Sequence, residues 1–505
     1  MLRRNLLKAP AFAALAGLAG RALAAEEGLS GPERFRRAMA DKPWLLAFRS
    51  VPRQEFQAAA RLTGRLPEGL RGTFYRNGPA RYEIGDFRYQ HWFDGDGMMQ
   101  AFTLGDGKID HRARMIATRK FQAEEAAGRA LYSGFGTRPP DPQPVTSPDL
   151  VNTGNISVLA HGGRLLALWE AGSPWELDPE TLETRGLYSF SPETRSVPFS
   201  AHPRLEPDGH LWNFGYASGA GLLVLWHIGP DGRVRRTGTV PCEPMGMPHD
   251  FVVTRRHIVL LIPPFHYEPE GTPRTFIDTY RWYPERPTRV LVVDKDDFTN
   301  FRWLELPAQW VFHFGNGWED ESGMIHFDGA RNVDPMDMVD GFARVMRGES
   351  YEPSPTHHHR YTLDPRAGSV RETAMFDAHL ETEFPVIDPR VSCRRNHRLV
   401  MMGRSTAEPA GHPMLDSVLV YDDRRERLDR FRYPAGVLPE EHLFVPAPDS
   451  APEGPGWVVG TALNVAEQRS ELHVFDADAV DAGPVASATL PYALPLGLHG
   501  RFVPA

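Results

Sequence analysis

The feature that most constrains the fold is a strand–turn–strand pattern that recurs along most of the chain. The segments RLLALWEAGSPWELDPETLET, LLVLWHIGPDGRVRRTGTV and SVLVYDDRRERLDRFRYP all show short apolar runs separated by turn residues. In the second segment Asp231-Gly232 is typical of a tight hairpin turn. Repeated hairpins with loops of variable length are typical of a β-propeller, with a pair of β-sandwiches as the alternative. The sequence therefore predicts an all-β protein.

Composition agrees with many turns and few helices. The 505 residues include 46 glycines and 46 prolines. This content is high for a protein built from long helices and typical of one with many turns. FQAEEAAGRALY has the clearest helical periodicity, and GPERFRRAMADKPWLLAFRSV is expected to hold a short helix. Residues 265–287 and 327–355 lack strand patterning, and we expect these two insertions to cover one face of the fold.

The first 25 residues have the pattern of an export signal. They combine a basic start, an Ala/Gly/Leu run and a small-residue cleavage site, and Arg3-Arg4 resembles a twin-arginine signal. This predicts a protein exported to the periplasm, either soluble or peripherally attached to a membrane. We expect an N-terminal extension over residues 26–55 and a single β-propeller catalytic domain over residues 56–505.

Charge and cysteine content exclude several classes of protein. The formal net charge of −9 provides no basic stripe for nucleic acid. Cys242 and Cys393 are the two cysteines, which excludes a cysteine-based zinc cluster and allows at most one disulfide. The sequence also lacks a Ser-His-Asp or Cys-His constellation for nucleophilic catalysis.

Four of the 20 histidines stand where an apolar strand meets Gly, Pro or Asp. They are His202 in SAHPR, His249 in MPHDF, His313 in VFHFGNGWED and His499 in LGLHGRF. If each belongs to a different blade, their rings can meet on a propeller axis, but separate turn histidines remain the alternative. The THHHR run at residues 357–359 is expected to be a solvated polar turn.

The segments RGTFYRNGPARYE and HWFDGDGMMQAFTL resemble the signature of the carotenoid cleavage oxygenase family. KFQAEEAAGRALYSGFGT and HFGNGW are most similar to the bacterial apocarotenoid oxygenase branch, and the resemblance extends from about Arg61 to Phe502. It implies a seven-bladed β-propeller with a helical and loop dome over one face, and one Fe(II) per subunit on the propeller axis.

The resemblance also implies roles for individual residues. The implied iron ligands, and hence the catalytic centre, are His202, His249, His313 and His499, with dioxygen as co-substrate. The glutamates implied to hold the rings of the last three are Glu170, Glu383 and Glu441 respectively, which leaves His202 without a carboxylate partner. Glu440, the residue before Glu441, is an alternative candidate for the glutamate that holds the His499 ring. Trp169 and Phe312 are expected to line a substrate tunnel or simply to belong to the core.

The implied reaction is oxidative cleavage of a conjugated C=C bond in an apocarotenoid, giving aldehyde products of the retinal type. Such an apolar substrate predicts transient contact of a dome patch with a membrane surface, and no obligate protein partner is evident. One alternative is cleavage of a lignostilbene or another phenolic stilbene, for which Lys120 is a candidate phenol-binding residue, although a solvated surface lysine is the ordinary expectation. Retinoid isomerisation and a non-catalytic, ligand-binding propeller are further alternatives. Glu319, in the third histidine motif, has no assigned role.

Overall fold

Seven antiparallel sheets of four or five strands form the blades of a β-propeller in the computed structural model, which describes residues 29–271 and 274–505. Blade 1 contains Glu55–Ala59, Gly72–Arg81, Asp96–Gly105, Lys108–Met115 and Gly500–Pro504. Blade 2 contains Ser157–His161, Arg164–Leu168, Trp175–Leu177 and Thr184–Leu187. Blade 3 contains Arg204–Leu205, Leu211–Ala217, Leu222–Ile228 and Val234–Pro241. Blade 4 contains Val252–Val253, His257–Ile262, Thr288–Asp294 and Phe301–Leu306.

The remaining blades repeat this plan. Blade 5 contains Trp310–Glu319, Ile325–Asn332, Thr356–Asp364 and Ser369–Ala374. Blade 6 contains Leu380–Val386, Arg398–Ser405, Ser417–Asp422 and Arg427–Arg432. Blade 7 contains Arg61–Gly64, Val437–Pro446, Gly456–Asn464, Arg469–Asp476 and Ala486–Thr489.

Burial differs between the strands within a blade. The middle strand His257–Ile262 is apolar and almost wholly buried, because neighbouring blades cover both of its faces. The edge strand Phe301–Leu306 instead alternates exposed and buried side chains. Most of the core therefore lies between blades, as where Val259 and Val290 of blade 4 pack with Phe327 of blade 5.

Both ends of the described chain close the ring of blades. The early strand Arg61–Gly64 pairs with Ala486–Thr489 and so completes blade 7. The last strand, Gly500–Pro504, pairs with the start of Gly72–Arg81 in blade 1. Since each closure joins segments from opposite ends of the sequence, the ring is complete only when the whole chain has folded.

A dome of short elements covers one face of the propeller. Its elements are helix α1 (Gly31–Asp41), the 3₁₀ turns Pro43–Phe48 and Trp92–Asp94, helix α2 (Arg119–Ala127), the π turn Asp337–Gly341, helix α3 (Phe342–Met346), and two small sheets that pair Glu83–Ile84 with Phe87–Arg88 and Phe265–Tyr267 with Tyr280–Trp282. A capping box between Ser30 and Glu33 starts α1. Phe35 of α1 is buried with Phe48 and with Met346 of α3, which joins separate parts of the dome.

The all-β class and the seven-bladed propeller are confirmed, but three local expectations are wrong. Residues 265–287 contain strands of three residues each, too short for an alternating pattern to reveal. The second insertion begins only after Asn332, because residues 327–332 continue a blade 5 strand. The THHHR run is also a blade 5 strand, and His358 within it is buried beside Asp328 at 3.0 Å.

The remaining sequence-based expectations about organisation have mixed outcomes. Cys242 and Cys393 are both buried and free, so they do not pair. In the described part of the chain, no helix has the length and apolar character needed to cross a bilayer. The expected export signal lies outside the described residues, and periplasmic localisation and the division at residues 26–55 stay predictions.

Removing residues 500–505 should destabilise the whole propeller, because blade 1 loses the strand that pairs with Gly72–Arg76. We expect a markedly lower melting temperature and faster proteolysis, measured by circular dichroism and limited trypsin digestion. Removal of Ala505 alone is the matched control, since it leaves the strand intact. Unchanged melting of the longer truncation would contradict a closing role for this strand.

Candidate metal centre on the propeller axis

Four histidines from four different blades meet on the axis. His202 and His249 lie just before the first strands of blades 3 and 4, His313 lies within the first strand of blade 5, and His499 precedes the last strand of blade 1. Neighbouring ring centroids are 4.6 to 5.3 Å apart. The Nε2 atoms of His202 and His249 are 3.0 Å apart. The ring nitrogens that converge are therefore the Nε2 atoms.

The other ring nitrogen of three of these histidines is bonded to a glutamate from another blade. His249 Nδ1 lies 2.7 Å from Glu170, which follows the second strand of blade 2. His313 Nδ1 lies 2.5 Å from Glu383 in the first strand of blade 6.

His499 Nδ1 completes this set, at 2.9 Å from Glu441 of blade 7. Among the described residues His202 has no carboxylate partner. Each of the seven blades thus supplies one histidine or one glutamate.

Neighbouring groups orient two of these glutamates. Tyr216 Oη donates a 2.5 Å hydrogen bond to the second oxygen of Glu170. The Phe384 backbone N–H donates to Glu383 over 2.6 Å. Phe384 has a φ of 54°, a left-handed conformation that costs free energy in a non-glycine residue. Its ring stacks on His313, with centroids 5.1 Å apart, so the strained residue contacts both members of the His313–Glu383 pair.

The neighbouring glutamates Glu440 and Glu441 have different roles. Glu441 binds His499 and also accepts the Gly500 N–H over 2.7 Å. Glu440 accepts the Gly497 N–H and pairs with Arg76 at 3.1 Å. Arg76 is fully buried and lies 3.4 Å from Glu441 as well, so one guanidinium compensates part of the charge of both carboxylates.

One ion pair links the segments that carry His202, His249 and His313. Arg204, two residues after His202, pairs with Asp250, the residue after His249. Asp250 accepts the Phe314 N–H over 2.8 Å, and Arg204 donates to the Phe314 carbonyl over 2.9 Å. Since Phe314 follows His313, this network fixes three histidine-bearing segments relative to one another.

Close backbone approach explains a glycine in the RNGPAR motif. A Cβ on Gly78 would lie 2.4 Å from Cα of Gly497, in the segment leading to His499. The Asn77 N–H donates to the His499 carbonyl over 2.9 Å, which holds that segment against blade 1. Gly78 is therefore needed because any side chain there would displace the fourth histidine.

Burial controls the charge of the histidine cluster. Burial and the neighbouring imidazoles hold the pKa of His202 and of His313 well below the usual value. Burial opposes the charged form of His249, but Glu170, Asp250 and Glu383 together raise the pKa of His249 above its usual value. Burial also raises the pKa of Glu383 to about 7.

The donor set fits a divalent metal ion. The ligand atoms of His202, His249 and His313 lie within 4.8 Å of one another. His313 Nε2 is buried and has no hydrogen-bond partner among the described residues, an arrangement that costs free energy unless the lone pair finds a ligand. Because the glutamates bind Nδ1–H, the Nε2 lone pairs point to the axis. Imidazole nitrogens suit iron and other borderline transition metals.

The cluster lies between two cavities. The apolar cavity, on the dome side, has a volume of about 170 Å³ and is lined by residues that include Trp92, Phe93, Phe312, Phe342, His249 and Leu496. The axial cavity, of about 610 Å³, has a mixed polar and apolar lining that includes His202, Arg204, Glu206 and Arg501. His313, Phe384, Glu441 and His499 border both cavities. A ligand can therefore reach the cluster from the dome through mostly apolar surroundings.

Of the two expected tunnel residues, only Phe312 lines the apolar cavity, where its ring lies 5.2 Å from that of His249. Trp169 packs instead against a core cluster beneath the dome.

The expectation of a solvated Lys120 is wrong. Its side chain is 3 % exposed and lies 2.9 Å from Asp96 and 3.0 Å from Glu124. It does not line the apolar cavity. The position of Lys120 in α2 directs its side chain inward, where the two carboxylates compensate its charge.

Glu319 has a structural role away from the axis. It binds His257 at 2.8 Å and Arg256 at 2.7 Å, and so links blades 4 and 5. Position relative to the strands does not separate this glutamate from the three on the axis, since all of them follow or lie within strands; only the family resemblance did.

Comparisons with known proteins agree with this architecture. The family model of RPE65, retinal pigment epithelial membrane protein, matches residues 49–504. The chain is 31% identical to apocarotenoid-15,15'-oxygenase of Synechocystis sp., over 92% of this chain and 97% of the relative. It is 30% identical to lignostilbene-alpha,beta-dioxygenase isozyme III of Sphingomonas paucimobilis, over 88% and 93%. The crystal structure of cobalt-substituted Synechocystis apocarotenoid oxygenase superposes with a TM-score of 0.82 at 29% identity, covering 92% of this chain and 99% of that one.

Replacing His313→Ala should abolish metal binding, since it removes a converging Nε2 lone pair. The metal content after anaerobic loading with Fe(II) or Co(II) and gel filtration can be measured by mass spectrometry. His326→Ala is the matched control, because His326 lies in the same blade but stacks on Trp318 and binds Asp320. Wild-type metal content in a folded His313→Ala protein would remove His313 from the ligand set.

Proposed function

The chain belongs to the RPE65/carotenoid cleavage oxygenase family, and on this premise we propose that it is a non-haem Fe(II) dioxygenase that cleaves a conjugated C=C bond of an apocarotenoid to give aldehyde products. The observation that carries the proposal is the convergence of four histidine rings, three of them held at Nδ1 by glutamates from other blades. An apolar cavity reaches the same cluster.

The proposed metal ligands are His202, His249, His313 and His499. An Fe(II) ion bound by neutral imidazoles would supply a site for activating dioxygen next to the substrate alkene. Glu170, Glu383 and Glu441 would keep each Nδ1 protonated, fix the ring orientation and return negative charge to the site.

The remaining task of the protein is to bind the substrate and exclude water. The aromatic side chains of Trp92, Phe93, Phe312 and Phe342 would hold a planar conjugated chain beside the cluster. No protein nucleophile or general acid is needed in this proposal, because the oxidising chemistry belongs to the metal and dioxygen. An apolar substrate of this kind would be taken from a membrane, which supports transient contact of the dome with a membrane surface.

A phenolic stilbene is the second candidate substrate, and the cavity volume favours it. About 170 Å³ is below the ~300–1,000 Å³ typical of sites for larger ligands. A long apocarotenoid would require the cavity to open, whereas a stilbene is shorter. The engagement of Lys120 by Asp96 and Glu124 does not support this lysine as the phenol-binding residue.

Turnover by the metal-loaded protein tests the proposal. We expect protein loaded anaerobically with Fe(II) to convert an apocarotenal or a hydroxystilbene into two carbonyl fragments, with one O₂ consumed per cleavage. Products are identified by chromatography and mass spectrometry, and oxygen uptake by an electrode separates cleavage from isomerisation. Stoichiometric iron without cleavage or oxygen uptake on either substrate would contradict the proposed reaction.

Replacing Glu383→Gln should lower metal affinity or activity by about 10–100-fold, because the carboxylate charge that accepts Nδ1–H of His313 is lost while side-chain size is kept. The effect should be smaller than that of His313→Ala. Glu319→Gln is the control, since it removes a buried carboxylate that binds His257 rather than an axial histidine. Equal metal affinity and equal activity for Glu383→Gln and wild type would contradict a supporting role for Glu383.

A further inference from the structure

The axial cavity, on the side of the cluster away from the dome, contains cationic groups that the proposed reaction does not use. Three arginines line it, together with His202 of the candidate metal centre. Two of the three, Arg204 and Arg390, are each paired with an aspartate. The third, Arg501, follows His499 by two residues and lies in the last strand of blade 1. Its surroundings therefore decide whether the cavity carries positive charge.

Arg501 has no partner in the protein. Within residues 29–271 and 274–505 its guanidinium makes no ion pair and no side-chain hydrogen bond, although the residue is only partly exposed. A guanidinium carries five N–H donors and stays charged in proteins. Removing such a group from water without an acceptor costs free energy. An oxyanion would satisfy the fork of donors with two parallel hydrogen bonds.

The carboxylates that share this cavity do not compensate Arg501. Glu206, Asp250 and Glu441 are the carboxylate residues in its described lining, and each is already bound to a lysine, an arginine or a histidine. Their charges are therefore offset locally. The pairing leaves the positive charge of Arg501 to attract an anion from solution.

His202 offers a second donor to the same cavity. The hydrogen bond of its ring involves Nε2, which lies 3.0 Å from His249 Nε2, and the residue is only partly buried. With a metal at Nε2, a neutral imidazole carries its proton on Nδ1. The other three axial histidines each have a glutamate at Nδ1, whereas His202 lines the axial cavity. Its Nδ1–H is therefore available to an acceptor that enters from solution.

Chain geometry brings the two donors toward each other. Side chains two residues apart in a strand point the same way, and His499 and Arg501 both line the axial cavity. Two residues of strand span roughly 7 Å. The ring of His499 in turn lies 4.7 Å from that of His202. An arginine side chain has a similar length, and no hydrogen bond within the described structure fixes this one.

We propose that the axial cavity binds a small oxyanion, of the kind represented by hydrogen carbonate and phosphate, between the Arg501 guanidinium and the Nδ1–H of His202. The oxyanion gives His202 the negative charge that glutamates give to the other three histidines. It orients the His202 ring and stabilises a divalent metal through its charge, without entering the ligand set. The inference goes beyond the proposed reaction, because it concerns a second ligand on the side of the cluster opposite the substrate cavity.

Calorimetric titration of the Co(II)-loaded, full-length protein tests the site. Sodium hydrogen carbonate and sodium phosphate are the probes, and sodium chloride keeps the ionic strength constant. We expect saturable binding of at least one probe, and the tighter of the two identifies the oxyanion. Arg501→Gln should weaken the binding by about tenfold or more, since charge-assisted hydrogen bonds are lost. Arg501→Lys keeps the charge but not the paired donors and should weaken it less.

Arg233→Gln is the matched control for the loss of one positive charge. Arg233 is exposed and does not line the axial cavity, so this variant should bind the oxyanion as wild type does. Circular dichroism establishes that each variant is folded, and Arg501→Lys provides the comparison if Arg501→Gln is not. Equal affinity of wild type and the folded Arg501 variants would overturn the assignment of Arg501.

The effect on the metal distinguishes this site from direct coordination. A bound oxyanion should slow the release of Co(II) to excess chelator at least about threefold in wild type and leave it unchanged in Arg501→Gln. The visible absorption bands of Co(II) should keep their positions. An oxyanion that coordinates Co(II) directly would shift these bands and bind Arg501→Gln as tightly as wild type. That result, or no saturable binding of either probe, would overturn the inference.

Discussion

The site depends on hydrogen bonds that cross from one blade to another. The Arg204–Asp250 pair fixes the segments of His202, His249 and His313 through the backbone of Phe314. Carboxylates from three further blades then fix the rings. The seven blades converge on the propeller axis. These hydrogen bonds hold the histidine nitrogens there in fixed positions and with defined protonation. Closure of the ring by the last strand, Gly500–Pro504, delivers His499 to the same point.

The two sides of the cluster offer different chemistry. The dome side is lined by aromatic rings, which suits a conjugated substrate, whereas the axial cavity is larger and has a mixed polar and apolar lining. Phe384, in a strained conformation, borders both and stacks on His313. Backbone strain persists only where the surrounding structure holds it, and strained residues cluster at functional sites. The strain at Phe384, beside the candidate metal ligand His313, fits this pattern.

Much of the fold and the axial residues could be predicted from the sequence. The hairpin pattern indicates blades because middle strands are apolar and turns carry Gly and Asp, and the resemblance of the histidine motifs supplied the four axial positions. Ring closure by Arg61–Gly64 could not be predicted, because a short polar strand has no pattern of its own. Lys120 and His358 look like surface residues in the sequence. Their burial is compensated by carboxylates, Asp96 and Glu124 for Lys120 and Asp328 for His358.

The supporting network was also beyond sequence reasoning. Tyr216, Arg76 and Asp250 act on the axis through contacts between residues far apart in the chain, and such contacts leave no local signal. The central claim is that histidine nitrogens alone bind the metal, while the glutamates stay on the outer nitrogens. X-ray absorption spectroscopy of the Fe(II)-loaded protein tests this claim most directly. We expect four imidazole ligands and no protein carboxylate on iron; a spectrum with fewer imidazoles and a directly bound carboxylate would contradict an all-histidine site.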